Sequence, residues 1–342
     1  QKVLPAYQSL GDKMTAMLSH APSNIGFGQF DGGAEYYQSR LNYYTSSDRT
    51  PDEIHQLGLE QLAVIHEQMS QIFEQLDYPE NESLTKSYNR IAADAGVIPA
   101  SQVKAKYEEL IDQAYEDLEP AFSLLPQQEI VVVGGNSGGY YIGGTEDGSR
   151  PGAFYANTSR DLPYTTMPTL TYHEAVPGHH LQIALANELD LPLFQRKITF
   201  TNFVEGWALY AERLAKDLGW YQNDPYGDLG RLQFEAMRAA RLVIDTGIHV
   251  KGWSYQQADD FHVENVGYNG SIARYSIWPG QATAYTTGML KILELRDKAQ
   301  QELGDKYDIK DFHAAVIGSG SMPLTILQQV VDAYIANTKS SN

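Results

Sequence analysis

His173–His180, of sequence HEAVPGHH, places three histidines and one glutamate within eight residues. A second segment, Phe203–Ala208 (FVEGWA), adds a further carboxylate at Glu205. Imidazoles bind zinc, a carboxylate beside a ligand can activate water, and a later carboxylate can complete the ligand set. The two segments therefore predict a hydrolytic zinc site. The alternative is a kinked core helix with incidental histidines.

The spacing of the histidines differs from the common His-Glu-x-x-His pattern, in which two imidazoles four residues apart share one helix face. Position 177 is proline, so the second ligand is either His179 or His180. On a straight helix His179 lies about 240° round from His173, and His180 returns to the same face about 10 Å along the axis. Pro177 also clashes with the carbonyl of His173. We therefore expect one bulged or kinked helix that swings a later histidine toward the metal.

Three glutamates have candidate roles in this site. Glu174 follows a ligand and projects about 100° away from it, which suits a general base that takes a proton from water. Glu205 and Glu212 lie two turns apart on one face of an otherwise apolar helix, where an unpaired carboxylate is costly. We expect Glu205 to be the third ligand and Glu212 to orient a ligand imidazole. The alternative is that both are surface glutamates.

The composition excludes several classes of protein. The chain has 342 residues, of which 42% are hydrophobic, and it has no cysteine. Thiolate ligands, disulfides and cysteine nucleophiles are therefore absent. A net charge of -18 disfavours nucleic acid as a partner, and no apolar stretch is long enough to insert in a membrane. The start at glutamine rather than methionine indicates processing or truncation.

Helical periodicity dominates the chain. It is predicted from Thr50 to Ile72, from Ser101 to Pro120, and over 167–189, 192–218, 225–251, 255–266, 279–303 and 323–337. Residues 128–158 instead read as short strands joined by turns. We predict a mainly α (α+β) fold with a small antiparallel sheet beside the metal-binding helix. It forms one domain over 1–342, with a helical part at 1–125, strands at 126–160 and the metal-site core at 161–342.

Further candidates for the site follow the glutamates. Asp245 and His249 are four residues apart on one helix, where they can interact. Arg274, Tyr275 and Tyr285 flank a Pro-Gly turn and offer donors for a transition-state oxyanion or a substrate carboxylate. Spacing alone does not distinguish these roles from packing.

Four ordered motifs resemble those of the bacterial family called "domain of unknown function 885". They are HEAVPGHHLQ at 173–182, EGWALYAE at 205–212, DTGIH at 245–249, and RY at 274–275 with PGQA at 279–282. The resemblance runs from about Tyr36 to Leu324. It implies likeness to helical zinc metallopeptidases of the glutamate-zincin (gluzincin-like) type. A five-residue version of the zinc motif, with glycine before the second histidine, favours His179 by analogy.

The resemblance also bears on the whole protein. Family members are typically longer on the N-terminal side, so the chain is expected to be the C-terminal part of a longer member. Many resemble exported lipoproteins, which implies a periplasmic or secreted location.

The leading hypothesis is a zinc-dependent peptidase acting on short peptides or amide-like substrates. Zinc is held by His173, His179 and Glu205, and Glu174 acts as general base. Three side chains, Tyr285, Tyr275 and His249, are the candidate donors to the oxyanion, and Asp245 joins Glu212 behind the ligands.

Substrate binding is assigned to Arg274 and to the segment 152–158. This strand is expected to pair an extended peptide along its edge, with Tyr155 and Asn157 in contact with it. Two alternatives are kept. One is a non-catalytic domain braced by a saturated metal with His180 as an additional ligand. The other is a fragment that is inactive without its N-terminal part.

Overall fold

The chain folds mainly into α-helices, as its periodicity predicts. The computed structural model describes residues 2–21 and 24–341. The helices are α1 Val3–Leu18, α2 Gly33–Thr45, α3 Pro51–Gln75, α4 Leu84–Ala95, α5 Ala100–Glu116, α6 Met167–Glu174, α7 His179–Glu188, α8 Leu193–Lys197, α9 Thr201–Asp217, α10 Pro225–His249, α11 Tyr255–Val266, α12 Ile272–Ile277, α13 Ala284–Leu303, α14 Ile309–Ile317 and α15 Leu324–Ser340. Over these described ranges, no helix is both long and apolar enough to cross a membrane.

The strands are β1 Val97–Ile98, β2 Ile130–Gly135, β3 Tyr140–Ile142, β4 Gly152–Asn157 and β5 Leu162–Pro163. β1 and β5 form an antiparallel pair, and the other three form a sheet in the order β2-β4-β3. β3 runs antiparallel to β4, but β2 runs parallel to it. The prediction of an antiparallel sheet was therefore wrong in part. The most buried strand, β4, lies at the centre of the sheet. β2 and β3 lie on its two opposite edges.

The two larger of the three hydrophobic clusters in the described part of the chain hold most of the helices together. In the first, apolar side chains of α5, the sheet, α9, α13 and α15 pack around Trp207. In the second, α10 packs along α3, with α4 and α11 beside them. α3 starts as the sequence predicts: the Thr50 hydroxyl accepts from the Glu53 amide, and the Glu53 carboxylate accepts from the Thr50 amide. The helix α10 therefore lies between α3 and the elements that carry the histidine cluster.

Helices α9 and α13 approach each other at two glycines. A Cβ atom at Gly288 would lie 1.9 Å from the Asn202 carbonyl oxygen and 2.7 Å from the Gly206 Cα atom. Gly206 follows Glu205 directly, so this close approach also fixes the position of Glu205 relative to α13. Neither position tolerates a side chain without moving one helix away from the other.

We expect Gly288→Ala to destabilise the protein. Overpacking costs about 1–3 kcal/mol, which exceeds the gain of roughly 1 kcal/mol that alanine brings to a helix interior. Gly11→Ala in α1 is the matched control, because no described atom beyond its own helix backbone and chain neighbours lies within 4 Å of its Cβ position. Denaturant unfolding of both variants measures the difference. A Gly288→Ala variant as stable as Gly11→Ala would contradict the packing.

Candidate metal centre

The segment between His173 and His179 is a break between two helices. α6 ends at Glu174 and α7 begins at His179, and the Val176–Pro177 peptide bond is cis. The prediction of a bulged or kinked helix over 167–189 was therefore wrong in its continuity, because the distortion at Pro177 separates two helices. Proline has no amide hydrogen to continue the ladder. Gly178 lies so close to α6 that a Cβ atom there would be 2.0 Å from the His173 carbonyl oxygen.

The break brings two histidines to one glutamate. The Nε2 atoms of His173 and His179 are each 3.4 Å from the same oxygen, Oε2 of Glu205 on α9. One ligand atom from each of the three residues lies within 4.8 Å of the others. Both histidines are buried and Glu205 is half-buried. The Trp207 indole, one helix position past Gly206, donates to the Pro177 carbonyl at 2.9 Å and ties α9 to the break.

His180 lies away from this group. Its Nδ1 atom is 2.9 Å from the Tyr141 hydroxyl of β3, and a Cβ atom at Gly152 would be 2.9 Å from the same nitrogen. Burial lowers the pKa of His180 to about 4, so its ring is neutral. Of the two histidines that the sequence left open, the structure brings His179 to His173 and Glu205 and turns His180 toward the sheet.

A second carboxylate supports His173 from behind. Oε1 of Glu212 is 2.7 Å from His173 Nδ1 and 3.2 Å from Nη2 of Arg238, and its Oε2 accepts from the Thr169 hydroxyl. Burial raises the pKa of Glu212, but Arg238 and His173 outweigh it, and the pKa lies below its usual range. An ionised Glu212 accepts the Nδ1 hydrogen of His173, which leaves the Nε2 lone pair directed at Glu205.

The electrostatics of the group suit a cation. Burial lowers the pKa of His173, but the carboxylates of Glu205 and Glu212 at its two ring nitrogens raise it to about 9. Burial also raises the pKa of Glu205, and the two histidines bring it well below its usual range. A positive charge is therefore stabilised between these residues, and a proton and a metal cation compete for it.

Glu174 lies beside the group and is free of partners. It is 6% exposed, and its carboxylate makes no hydrogen bond to a protein group among the described residues. Burial raises its pKa, and the neighbouring rings of His173 and His179 oppose this rise. A carboxylate in this position is available to exchange a proton with water or substrate.

Two tyrosines and an arginine form a further group beside His173. The Tyr285 ring lies parallel to the His173 ring, with the centroids 6.5 Å apart and an angle of 17° between the planes. The Arg241 guanidinium lies 4.9 Å from the centre of the Tyr285 ring. Its Nε donates to the Tyr275 hydroxyl at 3.1 Å. Tyr285 therefore lies beside His173, and Tyr275 is linked to Tyr285 through Arg241.

The structure does not support the predicted role of His249 as an oxyanion donor. Its Nδ1 accepts from the Phe27 amide at 3.1 Å, and its Nε2 donates to the Tyr275 carbonyl at 3.0 Å. Burial lowers the pKa of His249 to about 4, so the ring is neutral and carries one N–H hydrogen. This hydrogen is donated to the Tyr275 carbonyl and is not available to a substrate. His249 is a structural link from α10 to Phe27 and to α12.

Asp245 was predicted to stand behind the ligands, and this prediction was also wrong. Its Oδ1 accepts from the Tyr37 hydroxyl at 2.7 Å and from the Gly280 amide at 2.9 Å, while Oδ2 has no hydrogen-bond partner in the described part of the chain. It is fully buried, two helix turns beyond Arg238, and contacts neither ligand histidine. The i,i+4 spacing to His249 produced no hydrogen bond, because both side chains bind elements from other parts of the chain.

The predicted substrate contacts are not assembled either. Arg274 donates to the Gln281 side chain at 2.7 Å and packs over Trp278. Neither contact belongs to the histidine cluster. Nothing in these contacts assigns Arg274 to a substrate.

The strand predicted to bind a peptide has no free edge. β4 pairs with β2 over its whole length and with β3 at residues 153–155. The Tyr155 ring stacks on Tyr140 with centroids 4.9 Å apart, and Asn157 accepts from the Ser159 amide in a turn. Edge pairing of a peptide is therefore blocked by β2 over residues 152–157 on one side and by β3 over residues 153–155 on the other.

Sequence reasoning missed Thr169, Arg238 and Arg241. Thr169 precedes His173 by four residues, which places it one turn back on the same face of α6. Buried arginines recur on α10 at 231, 238 and 241 among apolar residues. Arginine on a buried helix face is the signal that was available, because a buried guanidinium requires partners.

Asp245 gives the protein a specific pH dependence. Burial raises its pKa from 3.8 to about 7. The folded state then binds a proton more tightly than the unfolded state, so Asp245 lowers stability progressively as the pH rises from about 4 to about 7. In Asp245→Asn the side chain stays neutral and its oxygen still accepts from Tyr37 and Gly280.

We expect Asp245→Asn to gain stability relative to the wild type between pH 5 and pH 8, by an amount on the order of a few kcal/mol. Denaturant unfolding at both pH values gives the free energy of unfolding of each protein. The contributions of the other titrating groups cancel in the difference between variant and wild type. A stability difference that does not change with pH would contradict the buried, protonated state of Asp245.

Two solved structures of bacterial proteins are similar to this chain. A crystal structure described as "the putative lipoprotein from Colwellia psychrerythraea" has a TM-score of 0.93 and 37% identity, with coverage of 98% of this chain and 61% of that one. A "putative lipoprotein of unknown function from Shewanella oneidensis" shares the fold, with a TM-score of 0.80 and 19% identity, covering 94% of this chain and 63% of that one. The chain thus spans less than two thirds of either protein.

No curated protein matches the chain. One family model matches it over residues 1–331, nearly its full length. This model was built for a family described as "Bacterial protein of unknown function (DUF885)". The family expected from the four motifs is thereby confirmed: the chain belongs to the bacterial DUF885 family.

Proposed function

We propose that this chain is a zinc-dependent hydrolase that cleaves short peptides or amide-like substrates. The observation that carries the proposal is the meeting of His173, His179 and Glu205, with ligand atoms within 4.8 Å of one another, beside the unpartnered carboxylate of Glu174. Each of these residues comes from a break or a close approach between helices, so the arrangement depends on the whole fold.

The donor set fits zinc. Two imidazole nitrogens and one carboxylate are the three protein ligands of many catalytic zinc sites, which keep a further position open. His173 is held in the required tautomer by Glu212, while Nδ1 of His179 is buried without a partner among the described residues. Zinc bound there would polarise a substrate carbonyl and lower the pKa of water.

The residues of the chain then have separate tasks. Glu174 takes a proton from the water that attacks the carbonyl carbon, and returns it to the amine nitrogen as the carbon–nitrogen bond breaks. Tyr285, whose ring lies over His173, donates its hydroxyl hydrogen to the carbonyl oxygen as negative charge develops there. Glu212 and Arg238 keep the His173 ring fixed through these changes.

The burial of the group supports small substrates. His173 and Glu174 are almost fully buried among helices, so a folded protein chain has poor access to them. This chemistry resembles that of gluzincin-like metallopeptidases. The two similar proteins described as lipoproteins support a periplasmic or secreted location.

The alternative of a metal-braced structural domain required His180 as an additional ligand. His180 instead contacts Tyr141 of β3, so this alternative has no supporting observation in the described residues.

A cleavage assay tests the proposal. The purified chain, loaded with one equivalent of zinc, is incubated with a library of short peptides, and products are identified by mass spectrometry. We expect cleavage that stops when a chelator is added and returns when zinc is restored. A folded, zinc-loaded chain that cleaves no peptide, or cleavage that persists in the chelator, would contradict it.

A further inference from the structure

Arg241 is a buried arginine without a carboxylate partner. It is 9% exposed, and no carboxylate of a described residue lies within 4 Å of its guanidinium. Two neighbouring arginines on α10 differ in this respect: Arg231 pairs with Asp228 and Glu235, and Arg238 pairs with Glu212.

The acidic side chain that α10 could offer is engaged elsewhere. Asp245, four residues after Arg241, accepts from Tyr37 and Gly280. The guanidinium of Arg241 contacts two tyrosines instead. Its Nε donates to the Tyr275 hydroxyl, and its plane lies near the Tyr285 and Tyr275 rings, at 4.9 and 5.7 Å from their centres.

The other end of the guanidinium is free. Neither terminal nitrogen of Arg241 donates to a protein group among the described residues. These two nitrogens form the planar fork that matches both oxygens of a carboxylate. The tyrosines therefore fix the orientation of the fork and leave its binding face open.

Arg241 also lies next to the metal centre. It follows Arg238, a neighbour of His173 and Glu212, by three residues, or about 4.5 Å along the helix axis. The Tyr285 ring neighbours both groups, with its centre 4.9 Å from the Arg241 guanidinium and 6.5 Å from the centre of the His173 ring. Consecutive residues of a peptide are about 3.8 Å apart, so a carboxylate bound by Arg241 would belong to a residue close to the bond at the centre.

We propose that Arg241 binds a carboxylate of the substrate and thereby selects peptides with an anionic group close to the scissile bond. The proposal rests on the proposed hydrolase function and adds the chemical class of its substrate. The carboxylate comes either from a free peptide C-terminus or from an aspartate or glutamate side chain. Tyr275, which contacts Arg241 and not the histidines, is then a positioning residue for the guanidinium.

The first test uses matched substrates. N-acetyl-trialanine with a free C-terminus is compared with its C-terminal amide, and acetyl-Ala-Asp-Ala-amide supplies a side-chain carboxylate. We expect kcat/KM for one of the acids to exceed that for the trialanine amide by about 10- to 100-fold, as for one charge-assisted pair. The ratio is independent of the fraction of folded enzyme.

The ratio should fall to near one in Arg241→Gln and partly persist in Arg241→Lys, which keeps the charge but not the fork. Arg90→Gln, which changes an exposed arginine on α4, is the control and should keep the wild-type ratio. Cleavage without preference for either acid, or a preference unchanged in Arg241→Gln, would overturn the assignment and leave the hydrolase proposal standing.

The second test does not require turnover. Calorimetry measures binding of the same three peptides to zinc-loaded Glu174→Gln, with and without Arg241→Gln. We expect the preferred acid to bind about 10-fold or more tightly than the amide only when Arg241 is present. If the wild type cleaves no peptide, this binding result would overturn the hydrolase proposal and leave the carboxylate site standing. Equal affinities for all three peptides would overturn the site.

Discussion

Glu174→Gln is expected to lower kcat/KM for peptide hydrolysis by about 10²- to 10⁴-fold while zinc content stays near the wild-type level. Glutamine keeps the size and polarity of the side chain but cannot take a proton from water. The carboxylate makes no hydrogen bond to a described residue, so its replacement leaves no buried partner unsatisfied. Elemental analysis and peptide hydrolysis on the same preparation measure both quantities.

Glu264→Gln is the control for this experiment, because Glu264 is an exposed glutamate on α11. It should retain both zinc and activity. A Glu174→Gln variant that holds zinc and hydrolyses peptides at nearly the wild-type rate would refute the role of Glu174 as general base.

His179→Ala is expected to weaken zinc binding far more than His180→Ala. Nε2 of His179 is 3.4 Å from Glu205 Oε2, whereas Nδ1 of His180 is bound to the Tyr141 hydroxyl. Loss of a side chain that supports a ligand typically costs 10- to 100-fold in affinity, so loss of a ligand should exceed about 100-fold. Zinc titration against a competing chelator compares the variants. A larger loss in His180→Ala would reverse the assignment.

Local pattern explains why the fold class and the central cluster were predictable. The histidines and glutamate of 173–180 are close together in sequence, and Glu205 and Glu212 lie two turns apart on one helix. Such spacing within one segment predicts which side chains meet. The geometry of the break was not predictable in this way. Pro177 and Gly178 indicate that a regular helix ends, but the place where His179 then points depends on the contact of Trp207 with the Pro177 carbonyl.

The errors share a physical cause. Asp245 and His249 have the spacing of an interacting pair, yet their partners are Tyr37, Gly280 and Phe27, which the chain brings from far away in sequence. β4 lies at the centre of the sheet, and its side chains are buried on both faces. The sequence of a short apolar strand does not show whether the strand is central or at an edge. Long-range partners decide these roles, and no local pattern encodes them.

Zinc stoichiometry tests the central claim most directly. The wild type, His173→Ala and Glu205→Ala are loaded with zinc, dialysed together against the same metal-free buffer, and measured by elemental analysis alongside circular dichroism. We predict about one zinc per wild-type chain and strongly reduced zinc in both folded variants, because a catalytic site needs all three protein ligands. A wild type without zinc, or an unchanged zinc content in both variants, would contradict the assignment of His173, His179 and Glu205 as a metal centre.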